Sequence, residues 1–150
     1  LTIRPSRRRF AARLNSGVRR LMMVRQTFNM ERHSADLDRT IAQSFSASFM
    51  SNSKWRRLFM ALSAPHLAVH QVLWKFVGRE PVVLGATPDA ECLGELFVER
   101  TSFATFPYKE IEWVEVPPAH DLDAVEQALT AVGQFEIRRL ETGLRVYGHR

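Results

Sequence analysis

Residues 71–147 contain a series of short apolar segments separated by brief loops. This arrangement limits the possible folds more than any other feature of the sequence. The segment at 72–77 is rich in β-branched and aromatic residues, which is typical of a strand. Similar short segments occur at 82–84, 96–98 and 111–114. Consecutive strands joined by short loops favour antiparallel pairing, so we predict a small, mainly antiparallel sheet.

The segment "YKEIEWVEVPP" predicts the clearest strand, because acidic and apolar residues alternate along it. One face would carry Ile111 and Trp113, and the other would carry Glu110, Glu112 and Val114. The last segment, "FEIRRLETGLRVYGHR", predicts a hairpin that turns at residues 141–143.

Two amphipathic helices are predicted on one face of this sheet. The first would be capped by Asn52 or Ser53, and the second by Asp123 or Asp121. Their apolar stripes are Trp55, Leu58, Phe59 and Leu62 in the first, and Leu122, Val125, Leu129 and Val132 in the second. The predicted fold class is therefore α+β.

The charge is distributed unequally along the chain. Residues 1–49 contain ten arginines, no lysine and three acids, whereas residues 50–150 contain eleven basic and thirteen acidic side chains. Such asymmetry marks a tail or a second module. We therefore predict a basic extension and linker over 1–49, helical or disordered, and an α+β domain over 50–150. The Ser-rich stretch at 44–53, which spans this boundary, is predicted as a linker.

The basic extension has four possible roles. It could lie on an anionic membrane, contact nucleic-acid phosphates, act as an organellar transit peptide, or have no role at all. Binding to nucleic acid or membrane would use residues 1–30. The arginines expected to make such contacts are Arg7, Arg8, Arg9, Arg13, Arg19 and Arg20.

Several classes of site are not indicated by the sequence. Cys92 is the single cysteine, so an internal disulfide framework and a four-thiolate zinc site are excluded. The glycines form no phosphate-binding loop. We predict no metal site and no cofactor. No apolar run reaches the roughly 18–20 residues of a membrane span, and we predict a cytoplasmic location.

A small hydrolase or metal enzyme would need Cys92 or the histidines. If residues 66–77 were helical, His66 and His70 would share one face, as metal-binding pairs do. Neither a third ligand nor a suitable Cys–His spacing accompanies them, so this function is the weakest alternative.

Four glutamates offer a different site. Glu95 and Glu99 alternate on one predicted strand, and Glu110 and Glu112 alternate on another. If those strands pair, the four acids share one sheet face. That face could simply be solvated, could serve acid–base chemistry or bind a cation, or could attract a basic protein partner. The leading hypothesis is therefore a non-enzymatic protein-interaction module that occludes its partner, as immunity proteins do.

Three motifs resemble those of a family of small bacterial proteins classed as a domain of unknown function. The motifs are the start of the first helix at Asn52 to Trp55, the "IEWVE" strand at Ile111 to Glu115, and the final "GLRVYG" at Gly143 to Gly148. The resemblance covers residues 51–149. It implies a compact bacterial α+β domain that starts near Met50, and it carries no catalytic residues.

Overall fold

The main element of the fold is a five-stranded antiparallel sheet. The computed structural model describes residues 32–99, 101 and 104–150. The sheet contains β1 (Gln71–Phe76), β2 (Val83–Ala86), β5 (Ile111–Val116), β6 (Glu136–Leu140) and β7 (Gly143–Tyr147), in the spatial order β2-β1-β5-β7-β6. Two short strands, β3 (Phe97–Val98) and β4 (Phe106–Pro107), form a separate two-stranded sheet.

Helices occupy three segments of the described residues. The first, α1, covers residues 32–44, and the others are α2 (Asn52–Leu62) and α3 (Leu122–Thr130). Single 3₁₀ turns occur at Pro65–Leu67, Ala90–Cys92 and Tyr108–Glu110. The predicted α+β class with a mainly antiparallel sheet is confirmed.

The core lies between one face of the sheet and the two helices α2 and α3. All four residues of the predicted α2 stripe are buried, as are Val125 and Leu129 of α3. From the sheet, the core receives mainly Val72, Trp74, Val114, Val116, Leu144 and Val146. At its centre the Trp74 ring lies 5.3 Å from Phe59 and 5.6 Å from Phe106, measured between ring centroids. Aromatic side chains bury the largest apolar areas, so this cluster supplies much of the hydrophobic stabilisation.

The predicted side-chain alternation along β5 was wrong at Ile111. A bulge shifts the register between Lys75 and Phe76, so Phe76 pairs with Ile111 whereas Lys75 pairs with Trp113. The extra residue turns Ile111 into the core together with Val114, while Trp113 points to the opposite face. Glu112 lies in the bulge.

The chain separates into two units, residues 1–39 and residues 40–150. The predicted domain boundary at residue 50 falls inside the second unit. Residues 46–49, predicted as a linker, pair with the end of the chain: Phe49 N donates to Gly148 O at 2.9 Å, and Ala47 N donates to Arg150 O at 3.0 Å. These hydrogen bonds make residues 46–49 part of the folded unit.

Candidate interaction surfaces

The four predicted partner-binding glutamates do not share one face. Strand β3 pairs only with β4 among the described strands, whereas β5 lies between β1 and β7. The prediction of one acidic sheet face, which required β3 and β5 to be neighbours, was therefore wrong. Glu95 and Glu99 are exposed on the segment around β3.

The other two glutamates are paired with basic side chains. Glu110 lies in a 3₁₀ turn, is 2% exposed, and contacts the Arg79 guanidinium at 2.8 Å. Glu112 contacts Lys75 Nζ at 3.0 Å. A buried carboxylate needs such a partner because desolvation penalises an isolated charge strongly. These two acids are held in ion pairs within the fold, and their part in partner binding stays a prediction.

The sheet face opposite the helices contains a second group of paired charges. Arg145 Nε donates to Glu115 Oε1 at 3.0 Å, and the guanidinium lies 3.8 Å from the centre of the Trp113 ring. The Tyr147 ring centre lies 5.8 Å from the same guanidinium. Cation–π contacts of this kind add to the ion pair. This face therefore has its central charges already neutralised.

Strand β2 forms one edge of the sheet and carries no charged residue. Val83 and Leu84 are exposed, as is Val82 just before the strand, and Leu84 is 55% exposed. Thr87 N donates to His70 O at 2.9 Å, so the backbone N–H and C=O groups of Thr87 point toward the β1 side of the strand. Because this orientation alternates in an antiparallel ladder, residues 82, 84 and 86 turn their backbone groups outward. In the described part of the chain, no strand pairs with this outer edge.

Strand β6 forms the opposite edge and is charged. It contains Glu136, Arg138 and Arg139. Arg139 reaches across to α3, where its Nη2 contacts Asp123 Oδ1 and Glu126 Oε2, both at 2.9 Å. Charged residues on an edge strand oppose the addition of another strand. The two edges therefore differ in their readiness to accept a partner.

A groove lies over the exposed side of α2 and the end of α3. It has a volume of about 700 Å³ and is lined by Ser53, Arg56, Arg57, Met60, Ala61 and Val132. Met60 is 51% exposed, and Val132 is 37% exposed although the sequence placed it in the buried stripe of α3. Val132 lies beyond the last turn of α3, which explains its exposure.

His149 links the end of the chain to the core through both ring nitrogens. Its Nε2 lies 2.7 Å from Lys109 O and therefore carries the proton, so Nδ1 accepts from the Ser48 hydroxyl at 2.7 Å. A serine–histidine pair can act as nucleophile and base, but Lys109 supplies a neutral carbonyl and not a carboxylate. Because a backbone carbonyl takes the place that a carboxylate has in a catalytic triad, the two hydrogen bonds are best explained as holding Ser48, Lys109 and His149 together.

Cys92 and the two spaced histidines are the residues that a hydrolase or metal site would use. Burial and the hydrogen bond to Asp89 raise the pKa of the Cys92 thiol, which keeps it in the less nucleophilic protonated form. His66 lies in a 3₁₀ turn and His70 precedes β1, so the helical alternative for this segment was wrong. Among the residues with described positions, no three His, Cys, Asp or Glu side chains form a metal-binding group.

Three further findings concern the basic extension, the helices and the comparisons with known proteins. The six arginines predicted to bind nucleic acid or membrane lie outside the described residues. None of the helices in the described ranges combines the length and apolar character needed to cross a bilayer. Comparisons with protein-family models, curated proteins and solved structures found no match.

Sequence reasoning missed β2 as an uncharged edge strand and α2 as the wall of a groove. The lack of charge in "PVVLGATP" was a usable signal for the edge, because an edge strand without charges is unprotected. The position of β2 at the edge was not available from the sequence, since it depends on the order of the strands.

Proposed function

We propose that this protein is a non-enzymatic protein-interaction module that binds an extended segment of another polypeptide along β2. The observation that carries the proposal is the outer edge of β2, where outward-facing backbone groups and exposed apolar side chains occur together without a charge. An added strand uses both features at once, because its backbone pairs with the edge and its side chains cover the apolar ones.

The energetics favour a short partner segment. Residues 82, 84 and 86 each offer one N–H and one C=O, and a hydrogen bond contributes about 0.5–1.5 kcal/mol net. Covering Val82, Val83 and Leu84 adds about 25 cal/mol for each Å² of apolar surface that is removed from water. Together these terms suit a moderate affinity for an extended apolar segment bounded by Pro81 and Pro88, where the edge ends.

This proposal keeps the predicted occluding, immunity-like role and replaces its surface. The basic partner predicted from the sequence depended on a shared acidic face, and strand addition at β2 does not require that charge. A bacterial source and a cytoplasmic location remain parts of the proposal. Nucleic-acid or membrane binding by residues 1–30 stays a separate prediction, which a steep loss of binding with rising salt would support.

The test places a photo-crosslinking amino acid at Leu84 in one full-length variant and at Leu96 in another. Leu96 is a matched control because it is also apolar and exposed, at 60%. In a bacterial lysate, we expect a discrete crosslinked partner from position 84 and none from position 96. In the purified complex, the amides of residues 82, 84 and 86 should exchange more slowly with solvent, because strand addition engages those N–H groups.

Substitution provides the second arm. Leu84→Lys should abolish the crosslinked complex, since a charge on the edge opposes pairing, whereas Leu96→Lys should leave it intact. Equal crosslinking at the two positions, or a complex that leaves the three amides unprotected, would contradict strand addition at β2.

A further inference from the structure

Helix α2 has an unusual charge pattern for a structural helix. Lys54, Arg56 and Arg57 lie in its first half, and no acidic residue lies in its first turn. The first turn of a helix carries a partial positive charge, so a basic residue there, in this case Lys54, is unfavourable. Helix α3 shows the expected pattern instead, with Asp121 as N-cap and Asp123 in the first turn.

The three basic side chains of α2 contact no carboxylate among the described residues. Lys54 Nζ donates to Phe49 O at 3.2 Å, and Arg56 Nη1 donates to Glu95 O at 2.8 Å and to Gly94 O at 3.5 Å. Arg57 is exposed and makes no hydrogen bond or ion pair within the described part of the chain. Lys54 and Arg56 therefore help to hold neighbouring segments in place, whereas the charge of Arg57 has no partner within the described part of the chain.

The basic side chains border an apolar floor. Arg56 and Arg57 line the groove of about 700 Å³ together with Met60, Ala61 and Val132. Met60 is flexible and polarisable, which suits it to contacts with varied apolar side chains. A ligand that fills this groove needs negative charge at its border and an apolar group at its centre.

We propose that the α2 groove binds an acidic amphipathic segment of a partner protein. Carboxylates of the segment pair with Arg57 and Arg56, and its apolar side chains cover Met60 and Val132. The charge complementarity would give Arg57, which has no partner within the described part of the chain, a role at the border of the groove. This surface is separate from β2, so the inference does not depend on strand addition.

A protein segment fits this groove better than a nucleic acid. Single-stranded nucleic acids are held by aromatic side chains on which bases stack, and the groove lining contains no aromatic residue. An amphipathic helix, in contrast, places apolar and charged residues on one side at intervals of three and four, which matches an apolar floor with a basic border.

The test uses a fluorescent synthetic peptide of about 14 residues, roughly four helical turns, with leucines at helical spacing and flanking glutamates. A second peptide carries lysine in place of every glutamate. Binding to the full-length protein is measured by fluorescence anisotropy. We expect the acidic peptide to bind, and the lysine peptide to bind at least about tenfold more weakly, because like charges then meet at the groove border.

Variants locate the site. Arg57→Glu should weaken binding of the acidic peptide about five- to tenfold, since one attraction becomes a repulsion. Arg138→Glu is the matched control, because Arg138 is also exposed and the substitution changes the net charge by the same amount. Arg138 lies on β6, away from the groove, so binding should change by less than about twofold. Met60→Ala should weaken binding about threefold through lost apolar contact, and Leu84→Lys should have no effect.

Three results would overturn the inference. One is equal weakening by Arg57→Glu and Arg138→Glu, which would indicate attraction to the protein as a whole. Another is absence of binding by the acidic peptide while the protein is folded by circular dichroism. The third is tighter binding of a single-stranded oligonucleotide that Arg57→Glu weakens, which would assign the groove to nucleic acid.

Discussion

The two edges of the five-stranded sheet are built differently. The β6 edge carries Glu136, Arg138 and Arg139, and Arg139 joins it to α3 through two carboxylates. The β2 edge carries only uncharged residues and exposes Leu84. Charged side chains on the β6 edge oppose pairing with another strand, whereas the β2 edge has no charge that would oppose it. The contrast indicates that the sheet is protected on one side and available on the other.

The largest expected effect is on the free energy of unfolding, and it differs between the two hairpins that form the edges of the sheet. Gly143 begins β7 at φ +146°, and a Cβ there would overlap the backbone oxygen of Val116. Gly143→Ala should therefore cost about 3 kcal/mol or more of unfolding free energy, measured by urea denaturation. Gly78, in the turn before β2, has φ +69° and free space around a Cβ. Gly78→Ala should cost only about 1 kcal/mol, and equal losses would refute the steric explanation.

A second prediction concerns a substitution that removes one charge from the edge strand β6. Arg138→Leu places an apolar side chain on an edge strand that already pairs along its inner side with β7. We expect the variant to self-associate in sedimentation velocity at concentrations where the wild type does not, because the edge loses a charge that opposes pairing. Arg138→Gln, which is uncharged but polar, should associate less than the leucine variant. A monomeric Arg138→Leu protein would show that charge at this position does not protect the edge.

A third prediction concerns the link between β6 and α3. The side chains of Arg139, Asp123 and Glu126 are all at least partly exposed, so water screens their ion pairs. Arg139→Ala should lower the urea midpoint only slightly. The difference from wild type should shrink further in about 1 M salt, where the screening length is about 3 Å. A large and salt-independent loss would mean that the arginine acts through packing of its aliphatic part.

The smallest effect concerns Cys92, which lies in the 3₁₀ turn that follows β2. Its thiol pKa is raised by burial and by Asp89, so less thiolate is present at pH 8 than in a free cysteine. Alkylation by iodoacetamide at pH 8 should be slower than for glutathione, and the rate should continue to rise above the ordinary thiol pKa. The raised pKa also means that its small contribution to stability is complete below the unfolded pKa and is lost as pH rises through the folded value. Alkylation as fast as that of glutathione would contradict the raised pKa.

The sequence predicted those features that depend on local periodicity. The α2 stripe from Trp55 to Leu62 is buried, and the hairpin turns at residues 141–142 between β6 and β7, as the alternation and the turn residues indicated. Asp121 caps α3, and it was one of the two predicted caps. Such features follow from neighbours in the chain, so pattern is sufficient to find them.

Features that depend on distant contacts were missed. The bulge before Trp113 appears only in the pairing of β5 with β1, and no local signal in the sequence marks it. The supposed acidic face failed because the order of the strands separates β3 from β5. Strand order is a property of the whole sheet and not of any single segment. One local feature was also missed: Ser51, and not Asn52 or Ser53, caps α2, with its hydroxyl accepting from Lys54 N at 3.2 Å.

The placement of the three tryptophans gives the protein an intrinsic optical probe. Trp55 and Trp74 are shielded from solvent, whereas Trp113 is half-buried under the Arg145 guanidinium on the face opposite the helices. A soluble quencher such as acrylamide should therefore reach Trp113 before the other two. Changes in its emission would report events on that face in the unlabelled protein, while the signal from the interior stays constant until the core opens.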